Sequence, residues 1–393
     1  MRHNDSVTTV TDRSALADPT RAKRTVVKIG SSSLTDHSGH LDVGRLTALA
    51  DVLAARRHAG GQVVLVSSGA IASALGVLGL STRPRDLATA QAAASVGQGL
   101  LMAHYTRAFA THDLTVGQVL LTVEDVVRRS HHRNVQRNLE RLLTLGVVPV
   151  INENDAVATD EIRFGDNDRL AALIAHLTGA DALVLLTDVD GLYDRSPKLP
   201  GARRIARVDG PGDLDGIEVT TRSNGVGTGG MVSKLQSAAI ASESGIPVVV
   251  TTAENAAPVL AGGDVGTWFT PAARRVSARR LWLAHAAHSA GSVSVDPGAV
   301  HAITVGKKSL LAAGVTGVQG EFNAGEPIDV LSPEGEVVAR GLAAYSAAEL
   351  PERLGHTSAQ LRERFGRGRD REVVHRDDLV VVDDGGWMKV LSG

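Results

Sequence analysis

Short runs of branched apolar residues recur along the chain as far as Phe269, and a helical pattern follows most of them. The runs are TVVKIG from Thr25, VVLVSS from Val63, TVGQVLLT from Thr115, VVPVI from Val147, ALVLLTD from Ala182 and IPVVVTT from Ile246. The helical patterns cover about 41–58, 70–78, 86–110, 131–145, 168–178 and 230–244. Strands that are apolar on both faces are typical of parallel sheets covered by helices. The alternation therefore predicts an α/β domain with a mostly parallel sheet sandwiched between helices.

The pattern changes near residue 285, where short strands divided by Gly, Pro and Asp replace the alternation. The predicted strands are GSVSVD, HAITV, VTGVQGEF, EPIDVLSP and EVVARGLAAY, with one helix expected around 346–355. This pattern predicts a small, β-rich, mostly antiparallel C-terminal domain. We expect domains at 23–275 and 286–378, a disordered tail at 1–22 and a second tail at 379–393.

The amino-acid composition excludes several kinds of functional site. The chain has no cysteine, so disulfides, thiolate zinc sites and cysteine nucleophiles are excluded, and a reducing, cytoplasmic setting is expected. A net charge of −2 gives no support to bulk polyanion binding. The uncharged stretch from Gln62 to Thr82 is long enough to cross a bilayer, but Ser67–Gly69 interrupts it. We interpret the stretch as a strand, a turn and a helix, and expect no membrane span.

The stretch INENDAVATDEIRFGDND, which completes the run from Val147, is dense in amides and carboxylates. In a parallel sheet such a loop presents ligand-contacting groups at the carboxyl edge. The alternative is a solvated acidic loop, but the apolar residues among the acids indicate that the loop packs down. Asn167 and Asp168 stand where a helix N-cap is expected, directly before the helical run from Arg169 to Leu177.

Two lysines stand beside glycine-containing turns. Lys28 ends the first apolar strand, where its burial would be costly without a partner, and Gly30 would let a ligand approach the backbone. The alternative is a strand-end lysine that reaches solvent. Lys234 lies one turn into a helix whose first amides, at Gly229 and Gly230, suit an anion. The glycine-rich run is neither a dinucleotide fingerprint, which should follow a strand directly, nor a Walker A loop.

Ser68 ends the second strand at the same expected edge as Lys28. It fits a ligand contact better than a nucleophile, because the surrounding sequence lacks the G-x-S-x-G elbow. Together, the lysines and glycine turns suit a triphosphate, and the amide-rich loop suits a small polar substrate. Phosphoryl transfer fits this set, because it needs mainly positioning and cationic charge. A carboxylate acceptor is already ionised at neutral pH, so it needs no general base.

Five motifs in this order resemble the glutamate 5-kinase family of the amino acid kinase superfamily: VVKIGSSSL, VSSGAIASA, INENDAVAT with FGDND, LLTDVDGLY and GTGGMVSKLQSA. The resemblance covers about residues 24–272, and the β-rich remainder resembles a PUA domain. It implies ATP-dependent phosphorylation of the L-glutamate γ-carboxylate, the first step of L-proline biosynthesis, with Mg²⁺ as cofactor. It also implies feedback inhibition by proline and a cytoplasmic homo-oligomer. The glutamyl-phosphate reductase that follows uses a cysteine nucleophile, so it would be a separate protein.

The resemblance also assigns roles to the residues that match its motifs. ATP would be held by Lys28, Gly30, Thr187, Asp188, Thr228, Gly229, Gly230, Met231, Val232, Ser233 and Lys234. Glutamate would be bound by Ser68, Asp155 and Asn167, with Asn152 as a further contact. Asp168 would organise Lys28 and Lys234, which makes these three the expected catalytic set. No protein ligand for a metal is expected.

An RNA-binding protein that acts through the PUA-like domain is the alternative from a different class. From 291 to 350 the chain holds seven acidic residues against three basic ones, which disfavours a phosphate-binding face. The arginine cluster from Arg362 to Arg371 argues the other way, but acidic residues interrupt it. Nucleic acid is therefore not an expected partner.

Overall fold

The computed structural model describes residues 10–127, 129–157, 167–215, 217, 230–272, 283, 289–366 and 371–382. The chain divides into two compact units, Met1–Arg275 and Val276–Gly393. Each unit has its own cluster of buried apolar side chains. The chain therefore builds separate cores for the two sequence patterns.

The first unit is built around a large sheet. The strands of this unit are β1 (Arg24–Ile29), β2 (Gln62–Ser67), β3 (Val116–Leu121), β4 (Val148–Glu153), β5 (Ala182–Thr187), β6 (Leu192–Tyr193), β7 (Arg204–Ile205), β8 (Arg207–Val208), β9 (Val248–Thr252) and β10 (Thr267–Phe269). The main sheet has the order β3-β4-β2-β1-β5-β9-β10-β8. Neighbouring strands from β3 to β9 run parallel, whereas β10 is antiparallel to β9. The prediction of a mostly parallel sheet is confirmed.

Helices cover this sheet. They are α1 (Ser31–Leu34), α2 (Val43–His58), α3 (Ala70–Ala74), α4 (Leu87–Ala110), α5 (Val123–Val127), α6 (Arg129–Thr144), α7 (Asn167–Leu177), α8 (Met231–Glu243) and α9 (Ala256–Leu260). Val27 and Ile29 of β1 join a core with Leu53 of α2 and Tyr105 of α4. Because side chains alternate along a strand, Lys28 faces the opposite side, where it meets α7. The predicted helix layers on the sheet are confirmed.

Local sequence explains where the long helices begin. Asp42 and Asp86 are N-caps, and their carboxylates accept hydrogen bonds from the amides of Arg45 and Thr89. The uncharged stretch 62–82 holds strand β2, a turn and helix α3, as predicted. In the part of the chain that the structure describes, no helix is long and apolar enough to cross a membrane.

The predicted disordered tail at 1–22 is wrong for residues 10–22. Arg13–Ala17 form a 3-10 helix, and the side chains of Val10 and Leu16 are buried. Arg13 donates a hydrogen bond to the carbonyl of Val265, 252 residues further along the chain, at 2.6 Å. Polar composition suggested a tail, but it gives no sign of a contact made at such a distance in sequence.

The second unit contains a smaller sheet. Its strands are β11 (Gly291–Val295), β12 (Val315–Gly320), β13 (Pro327–Leu331), β14 (Val337–Leu342) and β15 (Leu379–Val381), in the order β12-β11-β13-β14-β15. β11 and β13 run parallel, and the other neighbours are antiparallel. The prediction of a β-rich C-terminal domain is confirmed.

Helices in this unit differ from the prediction. The first four residues of HAITV, predicted as a strand, lie in helix α10 (Pro297–Thr304), because Asp296 caps the first turn and proline fits the first helical position. The segment 346–355, predicted as a helix, consists of turns and bends that contain Pro351. The helix lies further on, at α11 (Ser358–Phe365), where Thr357 forms a capping box.

The predicted start of a C-terminal tail at residue 379 is also wrong. Leu379–Val381 form β15 and pair with β14, with Leu379 opposite Gly341. The rest of the predicted tail, from 383 onward, lies outside the described residues. The run LVVV at 379–382 is typical of a short last strand, so the domain boundary should have been placed after it.

Candidate active site

Four strands of the first unit end at the same edge of the sheet. In the parallel register, Ile29 of β1 stands opposite Ser67 of β2 and Leu186 of β5. Val66 of β2 stands opposite Ile151 of β4. The residues that follow these strands therefore meet at the carboxyl edge, where open parallel sheets bind their ligands. A cavity of about 260 Å³ lies there.

Most of the predicted site residues meet in this cavity. Those that line it are Lys28, Gly30, Ser68, Asn152, Asp155, Asn167, Thr187 and Lys234. Asp168 contacts both lysines but does not line the cavity. The other described residues of the predicted set that do not line it are Asp188, Gly230, Met231, Val232 and Ser233. Thr228 and Gly229 lie outside the described residues.

Lys28 and Lys234 share the carboxylate of Asp168. Lys28 Nζ lies 2.5 Å from Asp168 Oδ1, and Lys234 Nζ lies 3.1 Å from Oδ2. The exposed fractions of the Lys28 and Lys234 side chains are only 5% and 8%, so neither lysine reaches bulk solvent. Lysine is buried to this extent when it is paired. Strand β1 and helix α8 thus bring two ammonium groups to one wall of the cavity.

The electrostatics of Asp168 follow from this pairing. Burial alone would raise the pKa of Asp168, but the ammonium groups of Lys234 and Lys28 outweigh burial and hold that pKa well below its usual range. Ser233 Oγ also donates to Asp168 Oδ2, at 3.2 Å. Asp168 therefore stays ionised at neutral pH and fixes the separation of the two ammonium groups.

A chain of amide hydrogen bonds joins the polar loop to neighbouring elements. Asn167 Nδ2 donates to Ser68 Oγ and to Asn152 Oδ1, both at 2.9 Å. The backbone amide of Glu153 donates to Asn167 Oδ1 at 3.2 Å. Asn152 Nδ2 in turn donates to Gln98 Oε1 at 2.8 Å. This network fixes groups from β2, β4, α4 and α7 on one side of the cavity.

The N-cap predicted at Asn167 and Asp168 is wrong. Helix α7 begins at Asn167, so both residues lie in its first turn. Asn167 Oδ1 accepts from the backbone amide of Glu153, and Asp168 holds the two lysines, so both side chains bind groups outside their own helix. The two polar residues therefore contribute to the cavity and its lysine pair rather than capping the helix.

Asp155 begins a short 3-10 turn after β4 and presents its carboxylate to the cavity. Its Oδ1 is buried and has no hydrogen-bond partner among the described residues. Burial raises the pKa of Asp155 to about 6, while the positive charge of Arg83 acts in the opposite direction. A buried acceptor without a partner is costly. This carboxylate is therefore suited to a cationic group of a ligand.

The glycine-rich element leads into α8. Gly230 is the N-cap of this helix and supplies no side-chain hydrogen bond to the first turn. The helix dipole favours an anion at that end, close to Lys234 in the same turn. At the end of β5, Thr187 Oγ1 donates to Asp188 Oδ1 at 2.9 Å. Thr187 itself is buried and lines the cavity.

Sequence reasoning missed several polar residues of this region. Arg83 lines the cavity from the coil between α3 and α4, and nothing in the local sequence RPRD separates it from the exposed Arg85. Gln98 had a signal, since it lies on the buried face of α4 between Ala94 and Leu101, where an amide needs a partner. Further lining residues that were not predicted are Ser31, Ser32, Thr35, His37 and Thr82.

Comparisons with known proteins cover both units. Residues 23–252 match the amino acid kinase family, and residues 291–365 match the PUA domain. Glutamate 5-kinase of Thermobifida fusca is 57% identical over 371 residues, which cover 94% of this chain and 96% of that protein. Glutamate 5-kinase of Streptomyces coelicolor is 56% identical over 362 residues, covering 92% and 97%. Among solved structures, carbamate kinase from Giardia lamblia bound to AMP-PNP aligns with a TM-score of 0.48 at 16% identity, over 64% of this chain and 99% of that chain.

Proposed function

The chain belongs to the glutamate 5-kinases of the amino acid kinase family, and from that premise we propose that it phosphorylates the side-chain carboxylate of L-glutamate with ATP. The product is L-glutamyl 5-phosphate, formed in the first step of L-proline biosynthesis. The observation that carries the proposal is one cavity lined by two buried lysines and by the partnerless carboxylate of Asp155. Family membership does not favour the alternative of an RNA-binding protein.

The reaction forms one bond and breaks one. A γ-carboxylate oxygen of glutamate bonds to the terminal phosphorus of ATP, and the bond from that phosphorus to the bridging oxygen breaks, so that ADP leaves. The acceptor is already ionised at neutral pH, so no residue has to remove a proton. Catalysis then depends on position and on positive charge near the transferring group.

Lys28 and Lys234 supply that charge in this proposal. Both line the cavity, and the shared carboxylate of Asp168 holds them at a fixed separation before substrates bind. Charge that is fixed in advance stabilises the transition state without reorganisation. Asp168 is thus a positioning residue, and the amides at the start of α8 add to the anion site.

ATP fits the lysine wall, and Mg²⁺ is proposed to enter with it. Within the described ranges no three His, Cys, Asp or Glu side chains cluster as a metal site. A nucleotide-bound Mg²⁺ is held mainly by phosphate oxygens and water, so it needs at most one or two protein carboxylates. When bound, Mg²⁺ neutralises charge on the phosphate oxygens. Thr187 and Asp188, at the end of β5, are the proposed contacts for the rest of the nucleotide.

The amino acid is assigned to the other side of the cavity. The carboxylate of Asp155 would accept the α-ammonium group, because its buried Oδ1 has no hydrogen-bond partner among the described residues. Ser68 and Asn167 are hydrogen-bonded to each other and line the same cavity as Asp155. Asn152 supports Asn167 and adds a further contact. This division keeps the acceptor carboxylate near the lysines.

Four further properties are proposed from family membership. They are feedback inhibition by proline, assembly as a homo-oligomer, a cytoplasmic location, and reliance on a separate glutamyl-phosphate reductase to consume the product. Proline added to the kinase assay and light scattering of the purified chain test the first two directly.

The purified chain with ATP, Mg²⁺ and one acceptor at a time tests the proposed function. ADP release and trapping of the acyl phosphate with hydroxylamine are measured for L-glutamate, L-aspartate and N-acetyl-L-glutamate. We expect both products with L-glutamate and far less of either with the other acceptors. Equal rates with all three, or no acceptor-dependent ADP with glutamate, would overturn the proposal.

A further inference from the structure

Arg83 is a charged residue of the cavity to which the reaction, as described above, gives no task. It lies in the coil between α3 and α4, is half-buried, and lines the cavity together with Asp155. The two residues attract each other electrostatically, but no ion pair within the described residues joins them. Among the same residues, none accepts a hydrogen bond from the Arg83 guanidinium. A guanidinium that lines a cavity, is partly shielded from water and has no partner among these residues is suited to an anionic group of a ligand.

The pair Arg83 and Asp155 has the charge pattern of a site for a zwitterion. The α-carbon of an amino acid carries an ammonium group and a carboxylate side by side. Asp155 offers a buried oxygen without a described partner to the first, and Arg83 offers paired N–H donors to the second. A ligand between them would satisfy both protein groups at once.

The position of this pair relative to the lysines fits one extended substrate. Asp155 follows β4, whereas Lys28 ends β1, and strand β2 lies between these two strands. Two strand spacings correspond to about 9–10 Å across the sheet. One end of the cavity can therefore hold the α-carbon groups, while the other holds the carboxylate that accepts the phosphoryl group.

We propose that Arg83 is a specificity-determining residue, which binds the α-carboxylate of the amino-acid substrate beside the α-ammonium group held by Asp155. This inference rests on the proposed function and adds the group that recognises an α-amino acid as such. It also states which acceptors the cavity rejects. 4-Aminobutyrate has the ammonium and the acceptor carboxylate but lacks the α-carboxylate, whereas glutarate has both carboxylates but lacks the ammonium.

The experiment compares these three acceptors in the wild type, Arg83→Ala, Arg83→Lys and Asp155→Asn. kcat/KM is taken from initial rates at low acceptor concentration and saturating ATP, so that poor acceptors need not be saturating. Arg83→Ala should lower kcat/KM for glutamate and for glutarate by about 10- to 100-fold, the range for losing one hydrogen bond between charged groups. It should leave kcat/KM for 4-aminobutyrate within about threefold, since that acceptor makes no such bond.

Asp155→Asn should show the opposite selectivity, with a loss for glutamate and 4-aminobutyrate and little change for glutarate. Arg83→Lys should lie between the wild type and Arg83→Ala, because one ammonium cannot replace the planar fork; it also serves as the test if the alanine variant does not fold. Arg85→Ala, in the same coil but exposed and outside the cavity, is the matched control and should behave as wild type.

A purely electrostatic or structural role for Arg83 gives a different result. Loss of its charge would then weaken the Asp155 site as a whole, and kcat/KM for glutamate and 4-aminobutyrate would fall by the same factor. That outcome, or no change with either acceptor, would overturn the inference while leaving the glutamate kinase activity of the wild type intact. A wild type without glutamate-dependent ADP release would instead refute the proposed function itself.

Discussion

Asp168 holds two ammonium groups with one buried carboxylate, an arrangement that brings three charges out of water. Such groups cost desolvation energy, and apolar residues of similar size are often at least as stable. Stability alone therefore does not explain this cluster. Binding of a negatively charged triphosphate would explain why two ammonium groups are held at this site. The roles of the two lysines can be tested separately.

Lys234→Ala should lower kcat by about two to three orders of magnitude, the scale for removing one group that stabilises developing charge. KM for ATP should change far less, because Lys28 still lines the cavity. Lys234→Arg should recover little, since a planar fork does not place a point charge at the same spot. Steady-state kinetics measure both effects. A near-normal kcat in the alanine variant would end the assignment of Lys234 to the phosphates.

The raised pKa of Asp155 predicts how the reaction depends on pH. Burial raises the pKa of this carboxyl to about 6, so in the free enzyme it loses its charge as the pH falls through 6. The protonated form cannot attract the substrate ammonium, and kcat/KM for glutamate, which reports on the free enzyme, should fall up to tenfold per pH unit below that point. Substrate binding stabilises the charged form, so kcat should fall less.

The matched variant for this pH profile is Asp155→Asn. It should have low kcat/KM for glutamate at all pH values and should lack the acid limb near pH 6. An unchanged acid limb in this variant would mean that another group titrates there. The γ-carboxyl of glutamate itself, with an ordinary pKa of about 4.3, remains ionised over this range.

Single residues also show what the sequence could reveal. Lys28 could be predicted as a paired residue, because a lysine in an apolar strand needs a counter-charge, and the structure places it on Asp168. Arg83 could not, because only the tertiary fold brings its coil to the cavity that Asp155 also lines. The local pattern around Asn167 predicts a helix N-cap, whereas in the structure its side-chain amide donates to Ser68 and lines the cavity.

At the level of secondary-structure elements, the period of the hydrophobic pattern was enough to predict most of the first unit. Buried strands and helices alternate there with long, regular patterns, so type and order could be predicted. Short elements failed, because local competition decides them: HAITV has strand-forming residues, but Asp296 and Pro297 start a helix ahead of it. The contacts around the glycines of α4 also depend on their immediate surroundings, and they lead to a prediction.

Gly97 and Gly99 lie in the same helix, α4, but only one of them faces another backbone. A Cβ at Gly97 would overlap the carbonyl group of Ala70, at the start of α3, and would stand 3.1 Å from the Cβ of Ala74. Gly97→Ala should therefore destabilise the fold by about 1–3 kcal/mol, the usual cost of overpacking. It should also raise KM for glutamate, because α3 directly follows the turn that carries Ser68.

Gly99→Ala is the control for this pair. Gly99 is exposed, and no atom lies within 4 Å of a Cβ built there. Alanine in an open helix interior should raise the free energy of unfolding by about 0.5–1 kcal/mol and leave KM unchanged. Urea denaturation measures both variants. Equal stability of the two would contradict the close packing of α4 on α3.

The whole molecule keeps its candidate chemistry in one unit. Each residue that lines the cavity belongs to the first unit, and each described core cluster draws its residues from one unit alone. The change of pattern near residue 285 predicted two domains, but a pattern cannot show that either one folds alone. Whether the boundaries mark independent domains stays a prediction, and a truncated chain can test it.

A chain that ends at Arg275 should fold cooperatively and phosphorylate glutamate with kcat and KM close to those of the full chain, because it retains its own core and the complete cavity. Circular dichroism during heating and the ADP assay measure the two properties. A chain that ends at Thr252 is the control. It lacks β10, whose Trp268 and Phe269 are among the largest fully buried side chains, and it should not fold. A folded, monodisperse fragment ending at Arg275 without activity would show that the second unit takes part in catalysis.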